Sequence, residues 1–264
     1  MRHVTPTVHL IAYPKIDWGA LQDALITQCG DETEWFRRTA AISENDAEVL
    51  VEFAGRECYK SWEPGLNANV TKVREDSKEY LGNILSSGHG SVLEHANFSF
   101  VFSHVSRIFT HEFVRHRAGV AVSQESMRFV RLTDIPFWFP EWALQDEILM
   151  RRLLAYLEES EQLQLFLADH FHLDDDGVNF HEKKMKTSFM RRFAPSGHAT
   201  QMVATINVRA LRHIIAMRTA LPAEEEIRIV CDELAELTLA AVPNLMQDYR
   251  RTDDEEWIPG FLKV

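Results

Sequence analysis

The chain has 264 residues, of which 45% are hydrophobic, and a formal net charge of -12. This length can bury a substantial core and suits one large domain or two small ones. The negative charge argues against a protein that coats nucleic acid, because that activity depends on neutralising many phosphates at once. Positive charge is local instead: 20 of the 28 basic residues are arginine, and nine arginines fall within 115–131 and 191–218. We therefore expect focused pockets for a small anionic ligand.

Cysteine content and hydropathy indicate the compartment. The three cysteines, Cys29, Cys58 and Cys231, are too few and too scattered for a disulfide framework or a zinc cluster. No apolar run approaches the roughly 20 residues that span a bilayer, and the N-terminal sequence MRHVTPTVHLIAYP lacks the apolar core of a signal peptide. The sequence thus predicts a cytoplasmic protein without membrane contact.

The first half of the chain predicts helices followed by a strand. No linker or repeat divides the sequence, which predicts one continuous domain over 1–264. A Ser-x-x-Asp pattern at Ser43 predicts a capped helix that continues to about Tyr59. The segment KSWEPGLNAN is a predicted loop, and a second helix is predicted over Lys72 to Ser86, ending at Gly88.

The clearest strand pattern lies in ANFSFVFSHVS, where Phe98, Phe100 and Phe102 alternate with other residues. A short helix is predicted over Arg107 to Arg117. The segment VAVSQESMRFV that follows is predicted as a loop passing into extended chain.

The second half predicts mostly helices. An amphipathic helix is predicted from Trp142 to about Phe171, followed by a solvated acidic turn at 174–177 rather than a calcium loop. Further predictions are a helix near 182–193, a strand in HATQMVATIN, a helix capped by Asn207 and a last helix from near Pro222, with Glu224 to Glu226 in its first turn. The predicted class is α+β, with a mixed or antiparallel sheet packed against several long helices.

Arg115-His116-Arg117, followed by Ser126 and Arg128, is the most informative stretch. Arginine donates paired hydrogen bonds to phosphate oxygens, so the stretch predicts a cradle for a phosphorylated ligand, although a solvated basic patch is an alternative. On the predicted helix, Glu112 shares a face with Arg115 and His116. The residues alone leave open whether this carboxylate forms an ion pair within the helix or binds a polar ligand ring.

Other histidines and arginines admit competing interpretations. His111-Glu112 with His116 does not form a zinc-protease helix, because the two histidines are five residues apart and that chemistry needs four. A metal site is not predicted, and a cluster of His89, His95, His104 and His111 is the weaker alternative.

Arg209 and His213 share a helix face, whereas Arg218, nine residues beyond Arg209, projects to the opposite side. One helix could thus touch two ligand groups. The alternative is that these are surface arginines balancing glutamates.

Four segments, in this order, resemble the flavin-dependent thymidylate synthases. The family signature is RHR, a short spacer and Ser-x-Arg-Tyr, and the chain has RHR followed by SQESMRF. GHGSVLEH upstream, and RRFAP and NVRALRHIIAMR downstream, are similar to three further family segments. Together they span about residues 50 to 230.

The match departs from the family in two places. The spacer between Arg117 and Ser126 holds eight residues where the usual form has seven, and the extra residue falls within Ala118 to Val120. Phe129 stands where the family commonly has tyrosine, which keeps the ring and removes one hydrogen bond.

The resemblance implies a site for deoxyuridine monophosphate (dUMP). The residues it places around dUMP are Glu112, Phe113, Val114, Arg115, Gln124, Glu125, Ser126, Met127, Arg128, Arg191 and Arg218. Ser126, Arg128 and Arg191 suit the phosphate. Arg218 is the implied catalytic residue, since a guanidinium at the pyrimidine favours loss of the N3 proton and polarises the ring for attack at C5.

The resemblance also implies an FAD site in a homotetramer, with each flavin at a subunit interface. The residues it places around FAD are His89, Ser91, Arg115, His116, Arg117, Gln124, Asn207, Val208, Arg209 and His213. The implied reaction methylates dUMP with methylenetetrahydrofolate as carbon donor and flavin reduced by NADPH as hydride donor. It requires no enzymic cysteine nucleophile.

The sequence leaves two alternative functions open. One is a non-catalytic nucleotide-binding or RNA-binding regulator that uses the same arginines, which the acidic balance and the lack of an aromatic stacking platform near RHR disfavour. The other is a metal-dependent nucleotide hydrolase built on the histidines, which their spacing disfavours.

Overall fold

The computed structural model describes residues 2–43, 45–62, 67–68, 70, 72–128, 132 and 134–264. Half of the predicted loop at 60–69 (63–66 and 69) and the Phe129 substitution lie outside the described residues. None of the helices within these ranges is long and apolar enough to cross a membrane.

Helices account for most of the regular structure. The α-helices are α1 (Trp18–Cys29), α2 (Glu34–Ile42), α3 (Asp46–Tyr59), α4 (Ser77–Ser87), α5 (Arg107–Phe113), α6 (Glu141–Leu144), α7 (Glu147–His170), α8 (Phe180–Met190), α9 (Val208–Arg218) and α10 (Glu225–Ala241). The strands are β1 (Arg2–His3), β2 (Thr7–Ala12), β3 (Asn97–Ser106), β4 (Val120–Gln124), β5 (Pro136–Phe137), β6 (Ala199–Asn207), β7 (Tyr249–Arg251) and β8 (Trp257–Pro259). Short 3-10 helices occupy Gly90–Glu94 and Arg191–Phe193.

The strands form three sheets. The main sheet has four strands in the order β2-β3-β6-β4. β1 pairs in parallel with β5, Arg2 opposite Pro136, and β7 pairs antiparallel with β8, Tyr249 opposite Pro259. This combination of helices and sheets agrees with the predicted α+β class.

Contacts between Cα atoms divide the chain into two compact units, each built from separated segments. Unit 1 comprises Met1–His9, Val101–Arg115 and Val122–Ala204. Unit 2 comprises Leu10–Phe100, His116–Ala121 and Thr205–Val264. Four of the five boundaries fall inside β2, β3, β4 and β6, and the fifth, between Arg115 and His116, follows α5. The single continuous domain expected from the sequence stays a prediction.

Capping side chains set the helix starts, and they correct two predicted boundaries. The cap of α3 is Asn45, whose side chain accepts from the Glu48 amide, and not Ser43, which ends α2. α4 begins at Ser77 behind the cap Asp76, later than the predicted Lys72, and ends at Gly88 with φ 72° as predicted.

Capping side chains also set the starts of the later helices. The helix predicted from Trp142 is in fact α6 followed by α7, because Asp146 interrupts the pattern and accepts from the amides of Ile148 and Leu149. Asn207 caps α9, as predicted. Glu224 is the cap of α10 rather than a residue of its first turn.

The phenylalanine-rich strand is confirmed as β3, and Phe98, Phe100 and Phe102 are all buried. α5 follows directly, but it ends at Phe113 rather than at Arg117. The segment from Val120 was predicted to begin as a loop. This was wrong, since its first five residues form β4 in the main sheet.

Each unit has its own aromatic core. In unit 1 the rings of Phe102, Phe109 and Phe113 lie with centroids 5.1–5.7 Å apart. In unit 2 the core cluster consists of Leu25, Trp35, Phe36, Val49 and Trp62. The core of unit 1 includes two rings of α5, the helix that also carries Glu112.

Candidate functional site

Unit 1 contains a cavity of about 520 Å³ between α5, the end of β4 and the segment 191–198. We call it the arginine cavity, after Arg107, Arg115 and Arg191 in its lining. Its volume falls in the range, roughly 300–1,000 Å³, of small-molecule sites. The predicted dUMP residues that line it are Glu112, Val114, Arg115, Gln124, Met127 and Arg191.

Arg107 is a cavity residue that the sequence reasoning missed. It is the first residue of α5, a helix capped by Ser106. Its Nη1 is shut off from solvent and has no hydrogen-bond partner among the described residues. Burial and the nearby charge of Arg191 lower the pKa of Arg107, while Glu125 acts in the opposite sense. This guanidinium therefore has unused donor capacity and lies beside a second cation, an arrangement that an anionic ligand would stabilise.

His198 lines the same cavity and bonds to Arg107 through the backbone. It is only 2% exposed, its carbonyl oxygen accepts from the Arg107 amide, and its Nδ1 lies 2.7 Å from the Pro195 carbonyl oxygen. Because a carbonyl can only accept, Nδ1 carries the hydrogen. Burial lowers the pKa of His198, which keeps the ring neutral and adds no further positive charge to the cavity.

The remaining predicted dUMP residues of unit 1 lie outside this lining. Arg128 donates from Nε to Ser188 Oγ at 2.8 Å, and with Arg191 it lines a neighbouring cavity of about 190 Å³. Ser126 Oγ accepts from the Arg128 amide at 3.3 Å. Arg191 thus borders both cavities, and Arg128 is already held by a hydroxyl.

Two further members of the predicted dUMP set serve the fold through their side chains. Glu125 accepts from Thr200 Oγ1 at 3.2 Å and lines a third cavity of about 200 Å³. The Phe113 ring is fully buried in the aromatic core of unit 1. Any contact of Phe113 with a ligand would therefore come from its backbone.

In unit 2, Arg218 and His116 form a direct pair. Arg218 Nε donates to His116 Nε2 at 2.9 Å, and the His213 ring meets the His116 ring edge-on at 5.9 Å. Burial, then the charge of Arg218 and then His213, lower the pKa of His116 to about 4. A neutral imidazole can accept from the guanidinium, so the pair orients Arg218 at physiological pH.

Asn207 and Gly119 meet in the same unit. The backbone N–H of Asn207 donates to the Gly119 carbonyl oxygen at 3.0 Å. The side-chain oxygen of Asn207 accepts from the Ala210 backbone N–H and so caps α9. Gly119 has φ +70°, and a Cβ there would lie 2.3 Å from Asn207 Nδ2. The spacer thus requires glycine at this position, within the segment that holds the extra residue.

Arg209 contacts the 3-10 helix Gly90–Glu94 at both of its ends. Its Nη1 lies 2.6 Å from Glu94 Oε1, and a Cβ on Gly90 would lie 3.0 Å from its Nε. Arg209 and Arg218 therefore have different neighbours, as their spacing predicts. The ion pair with Glu94 also agrees in part with the alternative interpretation, in which these arginines balance glutamates at the surface.

The other predicted flavin residues of unit 2 differ in exposure. Ser91 and Arg117 are exposed, and His89 meets Tyr59 edge-on at 5.7 Å. Val208 is fully buried, and its amide donates to the Ala96 carbonyl at 3.0 Å. Val208 therefore anchors the start of α9.

The environment of Cys231 does not activate its thiol. Cys231 is fully buried, and burial raises the pKa of its thiol to about 12, although the charge of Arg218 acts the other way. Such a thiol is not ionised at neutral pH. Within the described ranges, no group of three or more histidine, cysteine or acidic side chains could hold a metal ion.

A cavity rich in arginine and a second cluster of arginine, histidine and asparagine offer the kinds of donors that suit phosphate-bearing ligands. Residues 41–244 match the family model described as thymidylate synthase complementing protein. The chain belongs to this family.

Relatives with assigned names support this family assignment. A flavin-dependent thymidylate synthase of Mycolicibacterium gilvum is 36% identical over 209 residues, which is 77% of this chain and 80% of the relative. That of Mycobacterium tuberculosis is 34% identical over 207 residues, with 77% and 80% covered.

A solved structure shares the fold. It is Thymidylate Synthase X from Helicobacter pylori, described as containing FAD and dUMP. It matches with a TM-score of 0.57 and 17% identity, over 91% of this chain and 97% of that one.

The His116–Arg218 pair predicts a pH dependence of stability. The folded pKa of His116, about 4, lies below its ordinary value of 6.5, so the unfolded chain takes up the proton first as the pH falls. Stability should therefore fall between pH 6.5 and pH 4 and be unaffected by this group above that window. His116→Gln keeps an acceptor for Arg218 and removes the titration. The decline of Tm over this window should become shallower, though not vanish, because His198 shifts in the same direction.

The matched control is His181→Gln, at an exposed histidine of unit 1. It should reproduce the wild-type decline when Tm is measured at half-unit steps of pH. Parallel curves for His116→Gln and wild type would show that the pair does not titrate as described.

Proposed function

We propose that this protein is a flavin-dependent thymidylate synthase that converts dUMP to thymidylate. The observation that carries the proposal is the arginine cavity. There the Arg107 Nη1 donor lies near the charge of Arg191 and has no hydrogen-bond partner among the described residues. Arginines placed in this way suit a phosphate dianion, because guanidinium groups donate paired hydrogen bonds to its oxygens. The names of the relatives favour an enzyme over a nucleotide-binding or RNA-binding regulator.

The roles within unit 1 follow from chemistry. Arg107 and Arg191, in the lining of the arginine cavity, hold the phosphate. Arg128, which Ser188 fixes in one orientation, lies with Arg191 along the neighbouring cavity and approaches the phosphate from that side. Gln124 and Glu112, in the same lining, offer hydrogen bonds to the sugar and base. A ligand that bridges these groups would be a nucleoside monophosphate rather than a free phosphate.

The residues of unit 2 fit an FAD. Ser91, Arg117 and His213 are exposed donors, and Arg209 is held by Glu94. Hydroxyl, guanidinium and imidazole groups are donors suited to a pyrophosphate and a flavin ring edge. When bound, the flavin supplies a hydride and is reduced again by NADPH, and methylenetetrahydrofolate supplies the carbon, which makes the reaction a methyl transfer.

Arg218 is the proposed catalytic residue. With its Nε on His116, the guanidinium is oriented by a neutral partner, and its positive charge can act on a pyrimidine. There the positive charge favours loss of the N3 proton and polarises the ring at C5. We further propose that the sites are completed in a homotetramer, with the flavin at a subunit interface, as the family resemblance implies.

The proposal is tested by tritium release. With FAD, NADPH and methylenetetrahydrofolate present, the protein should release tritium from dUMP labelled at C5, and the release should stop when NADPH is omitted. The purified protein should also show flavin absorption or bind added FAD. A protein that binds no FAD and releases no tritium is not such an enzyme.

The Arg218→Ala variant should separate catalysis from cofactor binding. Because the guanidinium acts on the reacting ring, we expect tritium release to fall by at least about 100-fold, with FAD still bound. Arg250→Ala, at an exposed arginine of the same unit, is the control and should keep wild-type rates. Normal turnover by Arg218→Ala would remove Arg218 from the catalytic role.

The Arg107→Lys variant should weaken dUMP binding. Lysine keeps the charge but loses the planar fork, so we expect the Kd of dUMP, measured by calorimetry, to rise about tenfold. Arg151→Lys, at an exposed arginine of α7, should leave the Kd unchanged. Equal affinities for Arg107→Lys and Arg151→Lys would mean that Arg107 does not contact the nucleotide.

A further inference from the structure

A short relay of hydrogen bonds lies in the wall of the arginine cavity. Gln124 Nε2 donates to Thr110 Oγ1 at 3.0 Å, and Thr110 Oγ1 donates to the Arg107 carbonyl oxygen at 3.2 Å. Gln124 and Thr110 both line the cavity, yet Thr110 is only 2% exposed. Thr110 belongs to neither predicted ligand set, so its buried hydroxyl calls for a separate explanation.

The relay fixes which end of the Gln124 amide faces Thr110. A hydroxyl has one hydrogen, and that of Thr110 goes to the carbonyl three residues earlier in α5. The hydroxyl then has only lone pairs to offer, which bond to the amide nitrogen and not to the amide oxygen. The oxygen Oε1 of Gln124 is therefore the branch that remains for a ligand in the cavity.

We propose that Thr110 is a positioning residue that turns the Gln124 amide so that its carbonyl oxygen receives a hydrogen bond from the nucleotide. This inference rests on the proposed function and adds to it the polarity of one contact. A glutamine free to rotate would present its NH2 group part of the time, and two donors would then face each other. The relay thus selects nucleotides that carry a donor at this point.

A deoxyuridine nucleotide has two donors, the N3–H of the base and the 3′-hydroxyl of the sugar. Both could meet an amide oxygen, whereas a cytosine has no hydrogen on N3. Both the N3–H and the 3′-hydroxyl are hydrogen-bond donors, and analogues that lack one of them can show which one Gln124 recognises.

The test is a double-mutant cycle on Thr110 and Gln124. Thr110→Val keeps the shape of the side chain and removes the hydroxyl. We expect it to raise KM for dUMP about threefold to tenfold, the usual range for one hydrogen bond, with kcat within twofold. In a Gln124→Glu background the same change should raise KM less than twofold, because a carboxylate has acceptor oxygens on both branches.

Thr110→Ser is the matched control, since it retains the hydroxyl, and it should stay within twofold of wild type in KM. Thermal melting of each variant establishes that it is folded. A purely structural role for Thr110 would raise KM by the same factor in both backgrounds, and that result would overturn the proposal. No effect of Thr110→Val in either background would overturn it as well.

Analogue binding identifies the donor. The 3′-deoxy and N3-methyl derivatives of dUMP would be measured by competition against dUMP. The derivative that lacks the recognised donor should bind wild type more weakly, and Thr110→Val should not weaken it further. If Thr110→Val weakens both derivatives as much as dUMP, the oxygen of Gln124 receives neither donor and the proposal fails.

The outcome for wild type separates this inference from the proposed function. A wild-type protein that neither binds dUMP nor releases tritium overturns the proposed function and the role of Thr110 with it. Normal wild-type turnover combined with an equal effect in both backgrounds overturns only the role of Thr110.

Discussion

The position of α9 depends on one buried ion pair. Arg212 is fully buried, and its two terminal nitrogens bond to the two carboxylate oxygens of Asp248 at 2.8 and 2.9 Å. Carbonyl groups of Leu245 and Phe261 accept further bonds, and Tyr249 donates to the Arg212 carbonyl. Burial acts to raise the pKa of Asp248, but the hydrogen bonds and charge of Arg212 lower it below the usual value. Losing one partner would leave a buried charge uncompensated, at a cost of about 3–5 kcal/mol.

This anchor explains how one helix carries arginines with unlike tasks. Arg212 fixes the helix from its buried side, so Arg209 can reach Glu94 and Arg218 can reach His116. The three side chains are chemically identical, and only the partner decides the role. The bond from Arg218 Nε to His116 orients the Arg218 guanidinium before any ligand is present. A guanidinium that is already oriented loses less freedom when a ligand arrives.

What the sequence could predict was local. The alternation of Phe98, Phe100 and Phe102 and the caps at Asn207 and Gly88 are encoded within a few residues. The helices α1 and α2 and the β7–β8 hairpin were not predicted. The sequence could not predict that Arg212 would be buried, or that Arg107 would keep a donor without a partner among the described residues. Both features depend on residues far apart in the chain. The family motifs predicted which segments carry site residues, but not that Phe113 and Val208 would be buried.

The acidic balance and the cation-rich cavity are compatible because they act over different distances. A net charge of -12 disfavours a long polyanion, which would have to lie against many acidic side chains at once. Salt screens exposed charges beyond about 8 Å at physiological ionic strength, so distant carboxylates weaken the arginines little at contact range. Inside the cavity, burial and Arg191 together make the charge of Arg107 costly, as its lowered pKa indicates. A small dianion would relieve that cost, and burial lowers the pKa of His198, so the proposed nucleoside monophosphate is compatible with an acidic protein.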